Sequence, residues 1–135
     1  MNKKIRVLVQ GTGFAGQGHT AAFRDMGAEV VGIVGRTPSV VQQVAKELDI
    51  PYAGTDWKQA LIDCKPDVVS IGTPGGAHEE PIRQAIEFGC HVFSDKPLTQ
   101  SGETSKKLYE LAVEKKVKTA FASSFRYMPE VIHAK

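Results

Sequence analysis

The run Gly11-Thr12-Gly13-Phe14-Ala15-Gly16 is the part of the chain whose residue types and spacing point most directly to chemistry. It follows the apolar segment Ile5 to Val9 and opens a helix-like stretch from Phe14 to Met26. Glycines at these positions serve a tight turn, close approach of the backbone to a pyrophosphate, and close helix packing. The helix start presents free N–H groups and a positive dipole end to the phosphates. The segment is therefore a dinucleotide-site candidate. A glycine-rich turn between a strand and a helix is the plainer alternative.

A second group of polar residues bears on cofactor choice. An acidic residue about 20 positions past the glycines would bind the 2′-hydroxyl of NAD. Here that region reads Gly35-Arg36-Thr37, with Ser39 beyond it. A small residue removes the carboxylate that would repel a 2′-phosphate, and Arg36 offers a planar fork of donors beside the Thr37 hydroxyl. NADP is expected over NAD, with NAD as the alternative; a solvated arginine at a strand end is the competing reading of Arg36. Lys96, between Asp95 and Pro97, closes a short buried run where an ammonium could contact a carbonyl or hydroxyl of a substrate. A solvated turn lysine fits the same spacing. His19 and His78 read as polar helix residues that satisfy backbone groups, because neither has a nucleophile or carboxylate partner adjacent in sequence.

Holding these residues together requires a scaffold that brings several strand ends to one edge. Short β-branched runs alternate with helical-period segments, the signature of a parallel sheet covered by helices and buried on both faces. Strands are predicted over Lys4–Gln10, Glu29–Gly35, Val68–Gly72, His91–Ser94 and Lys118–Ala122, with a short one near Tyr52. Helices are predicted over Pro38–Leu48, Asp56–Ile62, Glu79–Phe88 and from Ser101 or Gly102 to Lys115. Thr37-Pro38 gives the second helix an N-cap and a proline at its first position, and Val40, Val41, Val44 and Leu48 its apolar stripe. The expected fold is α/β, a single Rossmann-like domain with a doubly wound parallel sheet. In such a sheet ligands bind beyond the carboxyl ends of the strands. Those ends carry the glycine loop, Gly35 to Ser39, Thr73 and Pro74, Asp95 to Pro97, and Ser123, Ser124 and Arg126.

Composition narrows the setting. At 135 residues the chain fits one domain, large enough to bury about two thirds of its unfolded surface. Seventeen basic and fifteen acidic residues are mixed along the chain for a formal charge of +2, so no footprint for nucleic acid or a membrane stands out. Cys64 and Cys90 lack CxxC or Cys/His spacing, which argues for reduced structural thiols and against a metal site. The apolar run before Gln10 is too short for a signal-peptide core, and a cytoplasmic protein is expected. Phe125 to Pro129 leads into a helix predicted over Glu130–Lys135, expected as a connection onward from a domain spanning residues 1–124, with residues 125–135 beginning that connection. A frayed tail is the alternative.

Taken together, these residues closely resemble the N-terminal cofactor domain of the glucose-fructose oxidoreductase, inositol dehydrogenase and rhizopine-catabolism (Gfo/Idh/MocA) family. The matching pieces are Gly11 to Gly16 with His19; Ile71-Gly72-Thr73-Pro74 followed by His78; Gly89-Cys90-His91-Val92 leading to Asp95-Lys96-Pro97-Leu98; and Arg126 with Pro129. The family's usual Glu-Lys-Pro is here Asp-Lys-Pro, and Gly75 and Gly76 stand where an asparagine is common. The resemblance implies that Lys96 lies beside the nicotinamide and substrate and is the catalytic candidate. The implied cofactor-binding set is Gly11, Thr12, Gly13, Phe14, Ala15, Gly16, Gly35, Arg36, Thr37, Thr73, Pro74, His78, Asp95, Lys96 and Arg126. It also implies a second α/β domain carrying most substrate contacts and the interface of a homo-oligomer, so that this chain is expected to be a fragment. The activity implied is hydride transfer between a nicotinamide and a sugar, cyclitol or related polyol. A stand-alone nucleotide sensor is the main alternative, and FAD or coenzyme A in the same fold a weaker one.

Overall fold

A computed structural model describes residues 3–133 of the chain. Six strands, β1 (Arg6–Gln10), β2 (Glu29–Val34), β3 (Tyr52–Gly54), β4 (Val68–Ile71), β5 (His91–Ser94) and β6 (Thr119–Phe121), form one sheet in the order β3-β2-β1-β4-β5-β6, every pair parallel. Helices α1 (Phe14–Asp25), α2 (Pro38–Glu47), α3 (Trp57–Cys64), α4 (Glu79–Glu87) and α5 (Gly102–Glu114) make the crossovers, and α6 (Pro129–Ile132) follows β6. The chain winds outward from β1 in both directions, so the topological switch point lies between β1 and β4.

Alternation along β1 explains why helices cover both faces. Val7 and Val9 point into a core with Val41, Val44 and Ala45 of α2, while Leu8 points into a second core with residues of α3, α4 and α5. All three are fully buried. The β1–β2 register shifts between Val7 and Leu8, because Val7 pairs with Val30 but Leu8 pairs with Gly32. Val31 is the extra residue of this bulge. Beyond it, Ile33 lies with Val9 in one core and Val34 with Leu8 in the other.

Helix starts are fixed by short polar side chains at α3 and α5. Asp56 accepts from Gln59 N at 3.0 Å and Ser101 from Thr104 N at 3.1 Å, each answering an otherwise free N–H. Thr37 stands at the N-cap of α2 before Pro38, but its hydroxyl makes no capping bond. The N-cap of α1 is Gly13, which has no side chain to offer, and the first turn of α1 holds no acidic residue.

Three sequence expectations need correction. Val40, placed in the apolar stripe of α2, is exposed, and Ala45 completes the buried side. Burial of both sheet faces holds for the central strands, but Thr119, Ala120 and Phe121 of β6 are all exposed at the sheet edge. The last helix begins at Pro129 and is observed to Ile132; the end of the predicted Glu130–Lys135 segment lies outside the described residues.

Candidate functional site

The carboxyl ends of β1, β2, β4 and β5 enclose a cleft of about 980 Å³. Its floor is a contact between three backbones. Gly11 has φ +114, a left-handed conformation that favours glycine. A Cβ there would lie 2.7 Å from the Gly72 carbonyl oxygen, one at Gly16 would overlap the Gly11 carbonyl, and one at Gly72 would lie 2.7 Å from Gly16 N. The glycine turn, the first turn of α1 and the end of β4 therefore pack without side chains between them. Gly13 differs: a Cβ there would meet no protein atom within 4 Å. Protein packing does not require glycine at that position, which lies beside the uncapped start of α1.

Around this floor the cleft gathers Gly11, Thr12, Gly13 and Ala15 from the glycine loop, Gly35 and Arg36 after β2, Thr73 and Pro74 after β4, and Asp95 and Lys96 after β5. Phe14, Gly16, Thr37, His78 and Arg126 do not line it. Phe14 projects into solvent, Gly16 is buried against Gly11, and Thr37 and Arg126 are exposed. Its charged lining residues are Arg36, Lys96 and Asp95, an excess of positive charge suited to an anion.

His78 sits behind this lining and is fully buried. Its Nδ1 lies 2.7 Å from the Pro97 carbonyl oxygen and its Nε2 2.6 Å from the Thr73 carbonyl oxygen. The ring thus ties the loop after β4 to the loop after β5 and has no surface left for a ligand, which moves it from the expected cofactor contacts to a bracing role. A Cβ at Gly75 would lie 2.6 Å from Pro97 Cδ, so the two loops also touch directly. The Lys96 N–H donates to Asp95 Oδ1 at 2.8 Å, which holds the turn that carries the lysine. On the α1 side, His19 Nδ1 lies 2.9 Å from Ser70 Oγ and its ring meets Phe93 edge-on. Burial lowers the His19 pKa, and the nearby Asp95 charge opposes that shift.

Sequence reasoning missed Gln10, Val34, Thr55, Trp57 and Pro81 as cleft residues. Gln10 did leave a signal, a polar amide directly after the buried apolar run Val7 to Val9. Among the described residues, the buried side-chain polar atoms without a hydrogen-bond partner are Gln10 Oε1, Trp57 Nε1 and Thr73 Oγ1, and all three belong to cleft-lining residues. A buried polar atom left without a partner costs about 1–3 kcal/mol. Three of them on one cleft leave its lining open to hydrogen bonds from a polar ligand or from water.

Comparison with known proteins gives a consistent answer. Residues 5–123 match the model of an oxidoreductase family with an NAD-binding Rossmann fold. The chain is 33% identical over 137 residues to scyllo-inositol 2-dehydrogenase (NAD(+)) of Bacillus subtilis, spanning all of this chain and 40% of that protein. It is 32% identical over 101 residues to D-xylose 1-dehydrogenase (NADP(+)) 2 of Haloferax volcanii, spanning 75% of this chain and 31% of that one. Among solved structures, GenD2 from gentamicin A biosynthesis, in complex with NAD, superposes with a TM-score of 0.89 at 29% identity, over 99% of this chain and 38% of that chain. The chain thus spans well under half the length of each of these relatives.

Proposed function

The chain belongs to the oxidoreductase family with an NAD-binding Rossmann fold, and on that premise we propose that it is the NADP(H)-binding portion of a dehydrogenase acting on a sugar, cyclitol or related polyol. The residues present fit a dinucleotide. The uncapped start of α1, the open space beside Gly13 and the three unpartnered polar atoms of the cleft all call for a polar, anionic ligand. Relatives named for NAD(+) and for NADP(+) both occur. The preference for NADP is argued from this chain's own β2 end, where Gly35 and Arg36 line the cleft with no carboxylate beside them; this observation carries the reading.

In this reading the N–H groups at the start of α1 and the backbone of Gly11 to Gly13 hold the pyrophosphate. Arg36 binds the 2′-phosphate through charge-assisted hydrogen bonds, with the Thr37 hydroxyl nearby. Thr73 and Pro74 bound the nicotinamide side. Bound there, the nicotinamide supplies hydride exchange with a carbinol or carbonyl carbon. Lys96 donates a hydrogen bond to the substrate oxygen and holds the proton that this oxygen gains or loses. Asp95 and His78 fix the loops on which Lys96 and Thr73 ride. Residues 125–135 begin the connection to the remaining part of the enzyme, which supplies most substrate contacts and a homo-oligomer interface; a cytoplasmic setting is part of the same proposal.

Parallel calorimetric titrations of the chain with NADP and NAD test this, in the wild type and in Arg36→Ala. Tighter NADP binding is expected, and loss of one charge-assisted contact worth about 1.5–3 kcal/mol should cut NADP affinity roughly tenfold or more. NAD affinity should change little. Equal losses for both cofactors, or none, would make Arg36 a surface residue and restore NAD as the expected cofactor.

A further inference from the structure

We infer that Gln10 and Trp57 read the adenine base of the dinucleotide, selecting a 6-aminopurine over a 6-oxopurine. The inference rests on the dinucleotide reading above and adds a specificity device to it. Gln10 ends β1, and strand alternation puts its side chain on the same face as Leu8, the face covered by α3, α4 and α5. Trp57 opens α3 and packs against that same core. Val34, turned to this face by the bulge in β2, stands opposite Gln10 as the last register position of the β1–β2 pair. Pro81, from the first turn of α4, lines the same cleft. Valine, proline and indole surfaces are the walls a flat heteroaromatic ring requires.

The polar atoms in this slot are complementary in kind. Gln10 Oε1 is a buried acceptor without a donor, and Trp57 Nε1 is a buried donor without an acceptor. Along its edge remote from the ribose, adenine presents a 6-amino donor next to the N1 acceptor. With the pyrophosphate on the glycine loop and the ribose at the mouth beside Arg36, that remote edge enters the slot first. A 6-oxopurine presents a carbonyl and a protonated N1 instead. Gln10 can rotate its amide to meet the carbonyl, but an indole N–H only donates and cannot answer a protonated N1. Trp57 therefore enforces the choice, and Gln10 grips the base beside it.

Trp57 is the sole tryptophan of the chain, so its emission reports on this slot alone. The probes are NADP, its hypoxanthine analogue and nicotinamide mononucleotide, followed by fluorescence and by calorimetry. Wild type is expected to favour NADP over the hypoxanthine analogue by about tenfold or more. NADP should perturb the emission and nicotinamide mononucleotide should leave it unchanged. Trp57→Phe keeps an aromatic wall without the N–H, and should bring the two dinucleotides within about threefold of each other by weakening NADP alone. Gln10→Leu should weaken both dinucleotides and leave their ratio near the wild-type value, whereas Trp57→Tyr, whose hydroxyl both donates and accepts, should also narrow the ratio and decides the matter if Trp57→Phe fails to fold. Equal binding of both dinucleotides by the wild type, or an unchanged ratio in a folded Trp57 variant, would overturn the base-reading role and leave the dinucleotide reading standing. An emission response to nicotinamide mononucleotide would overturn the placement of the base. No binding of any dinucleotide would remove both readings together.

Discussion

Two glycines of the same motif should fail in opposite ways when given a side chain. At Gly16 a Cβ overlaps the Gly11 carbonyl oxygen within the folded chain itself. Gly16→Ala gains about 1 kcal/mol of helix propensity inside α1, but backbone on both sides of the contact must move. Overpacking of this kind costs typically 1–3 kcal/mol, and more where backbone rather than a flexible side chain has to give. A net loss of about 1–2 kcal/mol is expected, lowering the thermal midpoint by roughly 4–7 °C. Gly13 sits at the N-cap of α1 with φ −80 and ψ −169, extended backbone that any residue adopts, and no atom within 4 Å of its ideal Cβ. Gly13→Val should therefore keep the fold, with a stability change within about 1 kcal/mol from the weaker cap. Its branched side chain would occupy the phosphate position, forfeiting helix-terminus attraction and a charge-assisted bond worth together about 3–4 kcal/mol. Dinucleotide affinity should fall roughly 100- to 1,000-fold. Circular-dichroism melts and calorimetric titrations on the same preparations separate the two effects. A Gly13→Val chain that is folded and binds normally would detach the glycine loop from the ligand; a Gly16→Ala chain as stable as wild type would refute the packing analysis.

Lys96→Ala, made in the longer enzyme with a working substrate, should lower turnover by roughly 100-fold or more with little change in NADP affinity; near-normal turnover would leave Lys96 a solvated turn residue. Burial pushes the Cys90 thiol up to about 11, above its unfolded value, so the stability linked to its proton is full below about pH 9 and is lost as pH rises toward 11. Denaturant titrations across that window should show the loss in wild type, and a decline of equal size in Cys90→Ala would show that other groups cause it.

What the chain disclosed beforehand divides along physical lines. β5 is predicted to its observed ends, His91 and Ser94, because a short β-prone run bounded by Gly89 on one side and Asp95-Lys96-Pro97 on the other is a local signal. The loops that line the cleft were legible because parallel topology sends every strand's carboxyl end to one edge. Trp57 and Gln10 were not recognised, since their shared slot depends on which face each side chain takes and on how α3 crosses the sheet. His78 reads from its sequence setting as a residue satisfying backbone groups and from the resemblance as a cofactor contact; the structure bears out the first, through Thr73 and Pro97 of two loops that meet only in the fold, and buries the ring away from the cleft. The exposure of β6 follows from its place at the sheet edge, a consequence of strand order that local patterning does not encode.

The bulge at Val31 makes the site depend on the parity of a strand. Upstream of it Val7 faces the same core as Val30; downstream, Gln10 stands opposite Val34, and the Gly11 N–H donates to the Val34 carbonyl oxygen at 2.8 Å. One residue is absorbed without advancing the strand, so β2 ends about 3.3 Å short of where even pairing would carry it. Deleting Val31 would iron out the bulge and leave Val34, Gly35 and Arg36 in phase with the glycine loop. Deleting Ile33 would keep the composition nearly as well but turn Val34 to the α2 side and withdraw Arg36 from the cleft. The tolerance of this strand to a lost residue is therefore set by odd and even counting, and it changes sign within two positions.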